Sequence, residues 1–418
     1  MRFYMFRDWL FKQIGVNIRL QVICMWYLIS LMVITRKHSL DHASFISGKN
    51  KSQFSRLLQD HPGTAVYTLD NLSKKQARQF SKAMTTLKSL PWKVAIIIDL
   101  TDQRRSSLKS ENVQKLNHGK GYFVGHQWTN IVLLMGSHII PLPPIAFMSR
   151  KYCRKHGIEY KTEHKRVIEY LETMKLEEYV EGLKKGDVVV LADSGYDDKR
   201  IQKVIVDKGW DFVMALKKKR SVKSVAQKAK TTPSRGWSQI GAFFKAHRRL
   251  KWETARIPSG GPKEKRKDFR IRHTRGWLKG VGLVHLVCSE KSSAPRGERK
   301  YFACTNLTIK PGQILIAYRL RWSIELFHKS VKMHLGFGDV SAMTFDAVKA
   351  HVHWVYCAYI LLQGGLPKMP SSVKSLPERQ RYVMSILENK EKANLLQRLT
   401  QIGGVGKQKN ELKRALVA

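Results

Sequence analysis

Between Tyr318 and Lys332 the chain reads YRLRWSIELFHKSVK, a phenol, two arginines, a glutamate and two lysines among large apolar side chains. On a helix advancing roughly 100° per residue, with Tyr318 at zero, Glu325 falls near −20°, Lys332 near −40° and Arg321 near −60°. Leu320, Ile324, Phe327, Val331 and Leu335 fall between roughly 180° and 260°, a separate apolar face. One face is built to enter a core, while a neighbouring stripe presents a carboxylate flanked by a phenol, a guanidinium and an ammonium. The plain reading is an amphipathic helix with i,i+4 pairs such as Arg321–Glu325 or Glu325–Lys329. The chemical reading is a site for Mg2+ and phosphate together. Glutamate is a hard oxygen ligand for the ion, and the cations and phenol suit phosphate oxygens.

Phosphoryl transfer assisted by two metal ions needs further carboxylates from elsewhere in the fold. Two places offer them. Asp99 ends the apolar run VAIIID, with Asp102 three residues on, and Asp193 follows VVVLA in ADSGYDD. Aspartates at strand ends are common as solvated caps, so each is weak by itself. A strand-end Asp, a second Asp after a later strand and a Glu on a helix form a pattern that allows convergence on one metal pair.

The elements that must position these residues can be read from periodicity. The β-branched run Val94–Ile98 reads as a central strand, and 121–127 and 130–147 as two more, the latter broken by prolines. Residues 160–183 have helical spacing of apolar residues. Val188–Leu191 is a buried strand running into a loop, DKRIQKVIVDKG a helix and DFVMALK a strand. That order is α/β texture with a mixed sheet. Residues 18–35 read as a buried helix. Ser39 as N-cap, Gly48 as break and NKSQFSRLLQ as a second short helix suggest a helix-turn-helix over 39–59, or an ordinary helical hairpin with a basic face. After Leu326 the chain reads as helical, with AVKAHVHWVYCAYILLQ a core helix whose His351 and His353 point in different directions.

Composition narrows the partner. Lys and Arg number 76 against 32 Asp and Glu, a formal charge of +44 over 418 residues. Such an excess attracts a polyanion, and nucleic acid is the default because neutralising phosphates releases counterions. The excess peaks from Lys217 to Lys279, with 21 Lys/Arg against three acidic residues, Trp237, Trp252 and Trp277 interleaved, and a loop expected over 258–268. A long one-signed run carrying aromatics is how a nucleic-acid surface is built. Five scattered cysteines without a C-x-x-C pair imply neither a zinc knuckle nor a disulfide framework and fit a reducing cytosol. The apolar Val22–Ile34 is short for a bilayer span and is followed by TRKHSLDH rather than a cleavage site, so a core helix is expected and no membrane.

The chain resembles the DDE transposases of bacterial insertion sequences, specifically the family designated insertion sequence four. Its signature is Tyr, two residues, Arg, three residues, Glu, six residues, Lys, met by Tyr318, Arg321, Glu325 and Lys332. DLTD after one strand, ADSGY after another and a basic stretch before the Glu add specificity. The resemblance runs from about Lys93 to about Ala350. It implies a ribonuclease H-like α/β fold, with helices on both faces of a mixed sheet and a mostly β insertion before the Glu. It implies Asp99, Asp193 and Glu325 as metal-binding catalytic residues. Tyr318, Arg321 and Lys332, with Lys329 beside them, would contact DNA phosphates, and Tyr196 matches the aromatic after the second Asp. Also implied are two Mg2+ ions, replaceable by Mn2+, duplex DNA partners (terminal inverted repeats and target), a homodimer in a synaptic complex, and action in the bacterial cytoplasm at the nucleoid. The family stacks a flipped base on a tryptophan, but no motif selects among Trp237, Trp252, Trp277 and Trp322.

The expected organisation is a helical DNA-binding domain over 1–90, a catalytic domain over 91–216 completed by 311–366, a basic β-rich insertion over 217–310 and a tail over 367–418. The expected function is cut-and-paste transposition. An inactive DNA-binding descendant and another ribonuclease H-like endonuclease stay open as alternatives.

Overall fold

The computed structural model describes residues 1–82, 84–106, 108–117, 121–225, 236–247, 249–258, 266–294 and 298–401. The chain divides into two compact units. One holds Met1–Leu72, Arg104–Val113 and Lys329–Ala418, and the other holds Ser73–Gln103 and Gln114–His328.

The second unit is built on one mixed sheet. Its described strands are β1 (Val94–Arg104), β2 (Gln114–Asn117), β3 (Tyr122–Met135), β4 (His138–Pro141), β5 (Ile145–Ala146), β6 (Val188–Ala192), β7 (Asp211–Leu216), β8 (Ser221–Ser224), β9 (Ser238–Gln239), β10 (Glu253–Pro258), β11 (Arg266–Leu278), β12 (Gly282–Lys291) and β13 (Lys300–Cys304). They lie in the order β2-β3-β1-β6-β7-β13-β12-β11-β8-β9, with β4 and β5 on β3 and β10 on β11. The pairs β1–β6 and β6–β7 are parallel, whereas β7–β13, β13–β12 and β12–β11 are antiparallel. The parallel centre is apolar throughout: Val94–Ile98 and Val188–Ala192 are all buried, as strands covered on both faces must be. Each valine, leucine and isoleucine among them contributes about 1.5–3 kcal/mol relative to exposure. The stretch after residue 217 continues this sheet from β7 through β13, so its basic strands extend the same layer as β1, β6 and β7.

Three readings of the strands need correction. β1 does not stop at the end of its apolar run but continues to Arg104, so Asp99 and Asp102 lie within it. Its burial changes there from continuous to nearly alternating, the pattern of a half-buried strand. The two strands expected over 121–147 are instead one 14-residue strand, β3, followed by the short β4 and β5. It runs unbroken because Trp128 and Thr129 are buried in the layer. Of the loop expected over 258–268, residues 259–265 lie outside the described residues, and Arg266–Asp268 begin β11.

The first unit is helical. Ile18–Met32 is a helix buried from Cys24 onward. Leu40–Ser47 begins at Ser39, whose side chain accepts from His42 N, and ends at Gly48 in the left-handed conformation, φ 65°. Only glycine enters that region without a Cβ penalty. Lys51–Asp60 follows, capped by Asn50. Phe345–Gln363 is buried along almost its whole length, as a helix apolar on every side should be. Leu376–Gln401 is a further helix, within what composition marks only as a polar tail. Among the described residues no single helix is long and apolar enough to cross a membrane.

His351 is a core histidine. Its Nδ1 lies 2.7 Å from the Tyr27 hydroxyl and its Nε2 lies 2.8 Å from the Gly336 carbonyl. A neutral ring satisfies both, accepting from the phenol and donating to the carbonyl. Burial pushes its pKa down from 6.5 to about 4. Between those values the unfolded chain binds the proton and the folded one does not, so stability falls as pH drops from 6.5 toward 4. The loss is on the order of 3 kcal/mol from this residue. Urea midpoints between pH 7 and 4 should therefore decline, and His351→Gln, which keeps a donor and an acceptor but cannot titrate, should flatten that decline.

Candidate active site

The site is assembled where the parallel strands end. Ile98 pairs with Ala192 as the last registered position of β1 with β6. The next residue on each strand is an aspartate, Asp99 and Asp193, so their backbones are neighbours across roughly 5 Å of sheet. Asp193 leaves the strand and closes an Asx turn, its Oδ1 accepting from Gly195 N at 2.8 Å. It thereby caps the short 3-10 turn Ser194–Tyr196. A Cβ at Gly195 would stand 2.8 Å from that oxygen, so a side chain at this position collides with the carboxylate.

The signature stripe arrives on two helices that meet at Arg321. They span Pro311–Leu320 and Trp322–His334. The single helix expected over 318–332 is corrected by this tightened turn, in which Arg321 N bonds Tyr318 O at 3.1 Å and Ile324 N bonds Arg321 O at 3.1 Å. Arg321 keeps right-handed dihedrals, φ −52° and ψ −31°, so Tyr318 and Glu325 both stay within reach of its guanidinium. The apolar face is as expected: Leu320, Ile324, Phe327, Val331 and Leu335 are buried. His328 fixes this helix to the sheet, its Nε2 lying 2.8 Å from Asn130 Nδ2 on β3.

Arg321 joins the pieces. One guanidinium nitrogen lies 3.2 Å from Asp99 Oδ2 and another 2.5 Å from Glu325 Oε1. The same guanidinium lies 5.7 Å from the centre of the Tyr318 ring, and that ring packs on Phe302 at 4.7 Å. Burial raises the Asp99 pKa to about 6, Arg321 opposes that shift, and Asp193 and Glu325 reinforce it. Asp99 therefore feels both of the other carboxylates. Burial also raises the Tyr318 pKa above the usual phenol value. Arg321 Nε is buried without a hydrogen-bond partner.

Lys329 and Lys332 follow on the same helix, in its last turns, and belong to the helical unit. Both are exposed, and Lys332 Nζ lies 6.0 Å from the Phe337 ring. Tyr196 is buried, its hydroxyl donating to Glu163 Oε1 at 2.7 Å. Of the four tryptophans, Trp322 beside Arg321 is 56% exposed. Trp237 and Trp277 are half-buried, and Trp252 lies under the guanidinium groups of Arg270, Arg272 and Arg299.

A family model described as transposase DDE domain matches residues 149–361. The chain belongs to this family. No curated protein matches the chain. The matched residues include Asp193 and the whole stretch Tyr318–Lys332, while Asp99 precedes them and is brought to Asp193 by the sheet. Membership makes the protein a DDE transposase, a DNA-acting enzyme class that works with divalent metal ions.

Those ions need oxygen donors that fit. Among the described residues no three His, Cys, Asp or Glu side chains are drawn together as a ready-made ion cage. Arg321 stands between Asp99 and Glu325 instead, a cation already balancing both carboxylates. Hard carboxylate oxygens with a displaceable counter-charge fit Mg2+ or Mn2+.

Sequence reasoning did not find Glu163, His164, Asn130 or His328 as parts of this site. Their partners lie 31 to 198 positions away in the chain, and no local spacing announces them.

Proposed function

We propose that the protein is the transposase of a bacterial insertion sequence of the insertion sequence four type. It nicks DNA at the element's ends and passes the freed 3′-hydroxyl to an opposite or target strand, in cut-and-paste transposition. The observation that carries this reading is Arg321 spanning Asp99 and Glu325 beside Asp193, in a chain of the DDE family. The ribonuclease H-like arrangement, with helices on both faces of the sheet, is part of the same proposal.

Asp99, Asp193 and Glu325 would hold two Mg2+ ions, which when bound supply Lewis-acid stabilisation to the attacking and leaving oxygens of an in-line displacement. Arg321 has two roles. It balances the carboxylates, and its guanidinium, once metal takes its place between them, would offer a charge-assisted hydrogen bond to a DNA phosphate. Tyr318, with its raised pKa, stays protonated at neutral pH and donates to the same backbone. Lys332 and Lys329 add charge along the helix. The helical hairpin over 39–59 and the basic strands β10–β12 would carry further duplex contacts, at terminal inverted repeats and at target DNA. A homodimer would hold two ends in synapsis, acting in the cytoplasm on nucleoid DNA.

A supercoiled plasmid carrying the DNA that flanks the gene tests the reading. Incubation with Mg2+ should give cleavage at the inverted repeats, abolished by chelator. Tight binding of the ends with no cleavage under Mg2+ or Mn2+ would sink the catalytic reading and favour a DNA-binding descendant.

A further inference from the structure

We infer that Glu163 and His164 are positioning residues that set the Asp193 carboxylate through the loop behind it. The inference rests on the reading of Asp193 as a metal-holding residue. Both side chains leave the first turn of the helix Glu163–Thr173, which is capped by Thr162. They grip the loop after Asp193 from two sides. Glu163 Oε1 accepts from the Tyr196 hydroxyl at 2.7 Å and from Thr129 Oγ1 on β3 at 3.1 Å. His164 Nε2 lies 3.0 Å from the Gly195 carbonyl and its Nδ1 lies 3.0 Å from Asp198 Oδ2.

The connection to Asp193 runs through one residue. The Gly195 carbonyl is held by His164, and the Gly195 N–H is the donor to Asp193 Oδ1. Fixing that glycine fixes the carboxylate. The absence of a Cβ at Gly195 lets the two approach. Both ring nitrogens of His164 face groups that only accept hydrogen bonds, a carbonyl and a carboxylate. The far end of the loop is anchored separately. The buried Asp197 accepts from Lys217 N at 2.9 Å and from Gln202 Nε2 at 3.1 Å. Loss of His164 should therefore loosen the Asp193 end without releasing the whole loop. Groups behind a metal-holding side chain typically matter 10–100-fold in metal affinity or activity.

The test uses the full chain and Mn2+ as probe, with binding read by calorimetry or electron spin resonance without DNA, beside end binding and thermal midpoint. His164→Ala, His164→Gln and Gly195→Ala are compared with Lys165→Ala, an exposed neighbour whose ammonium pairs with Glu159. The expected result is a fall in Mn2+ affinity of roughly 10-fold or more in the three loop variants, with end affinity unchanged and Lys165→Ala like the parent. Equal Mn2+ affinity in a folded His164→Ala or His164→Gln protein would overturn the inference. If Gly195→Ala alone lost Mn2+, the His164 link would be overturned too. If the parent's Mn2+ binding does not depend on Asp99, Asp193 and Glu325, the underlying metal reading fails instead, which replacing each carboxylate by its amide in the same assay decides.

Discussion

Glu325→Gln is expected to lower end cleavage by roughly 1,000-fold or more, because several kcal/mol of metal-supplied charge stabilisation are lost and each 1.4 kcal/mol is tenfold. The substitution keeps side-chain shape and helix propensity. Its amide oxygen still accepts from Arg321, and Ile324, Phe327 and the His328–Asn130 contact still seat the helix. What changes is one formal charge among three carboxylates. End binding, which draws on phosphates and cations, should be equal or slightly tighter, since a negative group has left the surface facing DNA. Single-turnover cleavage measured beside end-binding titration checks both halves. Cleavage within 10-fold of the parent would remove Glu325 from the chemistry.

Arg321→Ala is expected to act on binding and chemistry together. A charge-assisted hydrogen bond to phosphate contributes about 1.5–3 kcal/mol, so end affinity should fall by roughly 10- to 100-fold. One fewer phosphate contact should also make the slope of log affinity against log salt shallower by about 0.9. The second effect is local. Asp99 and Glu325 would face each other without the guanidinium now 3.2 Å and 2.5 Å from them. Arg321 opposes the upward shift of Asp99, so its removal should carry the Asp99 pKa above 6 in the metal-free protein, visible by carboxyl-carbon NMR titration. An unchanged salt slope would contradict the phosphate contact, and an unmoved Asp99 titration the counter-charge role. Arg321→Lys should restore part of the charge effect but not the two-pronged geometry.

Much of this was legible in the sequence because it rests on local periodicity. The apolar face Leu320–Leu335 follows from spacing alone, and so do the buried runs of β1 and β6. The aspartates after those runs were readable as a pair only once the strands were taken to be neighbours, which the parallel register supplies. The extension of β1 past Asp99 was not legible, because a half-buried strand of mixed residues such as LTDQR carries little signal. The turn at Arg321 was not either. Its residues are good helix formers, and the break is a matter of which carbonyl each N–H reaches. The clamp from Glu163 and His164 was least accessible, since its contacts span about 30 positions and depend on side-chain geometry. Membership of the DDE family covers Asp193 and Glu325 but stops short of Asp99, so the third carboxylate rests on the sheet.

The most direct test is a crystal of the full chain soaked in Mn2+, with anomalous scattering recorded to locate the ions. The account expects Mn2+ within coordination distance, about 2.2 Å, of oxygens from Asp99, Asp193 and Glu325, with Arg321 withdrawn from between Asp99 and Glu325. Mn2+ bound elsewhere, with Arg321 still bridging the two carboxylates at saturating metal, would contradict it.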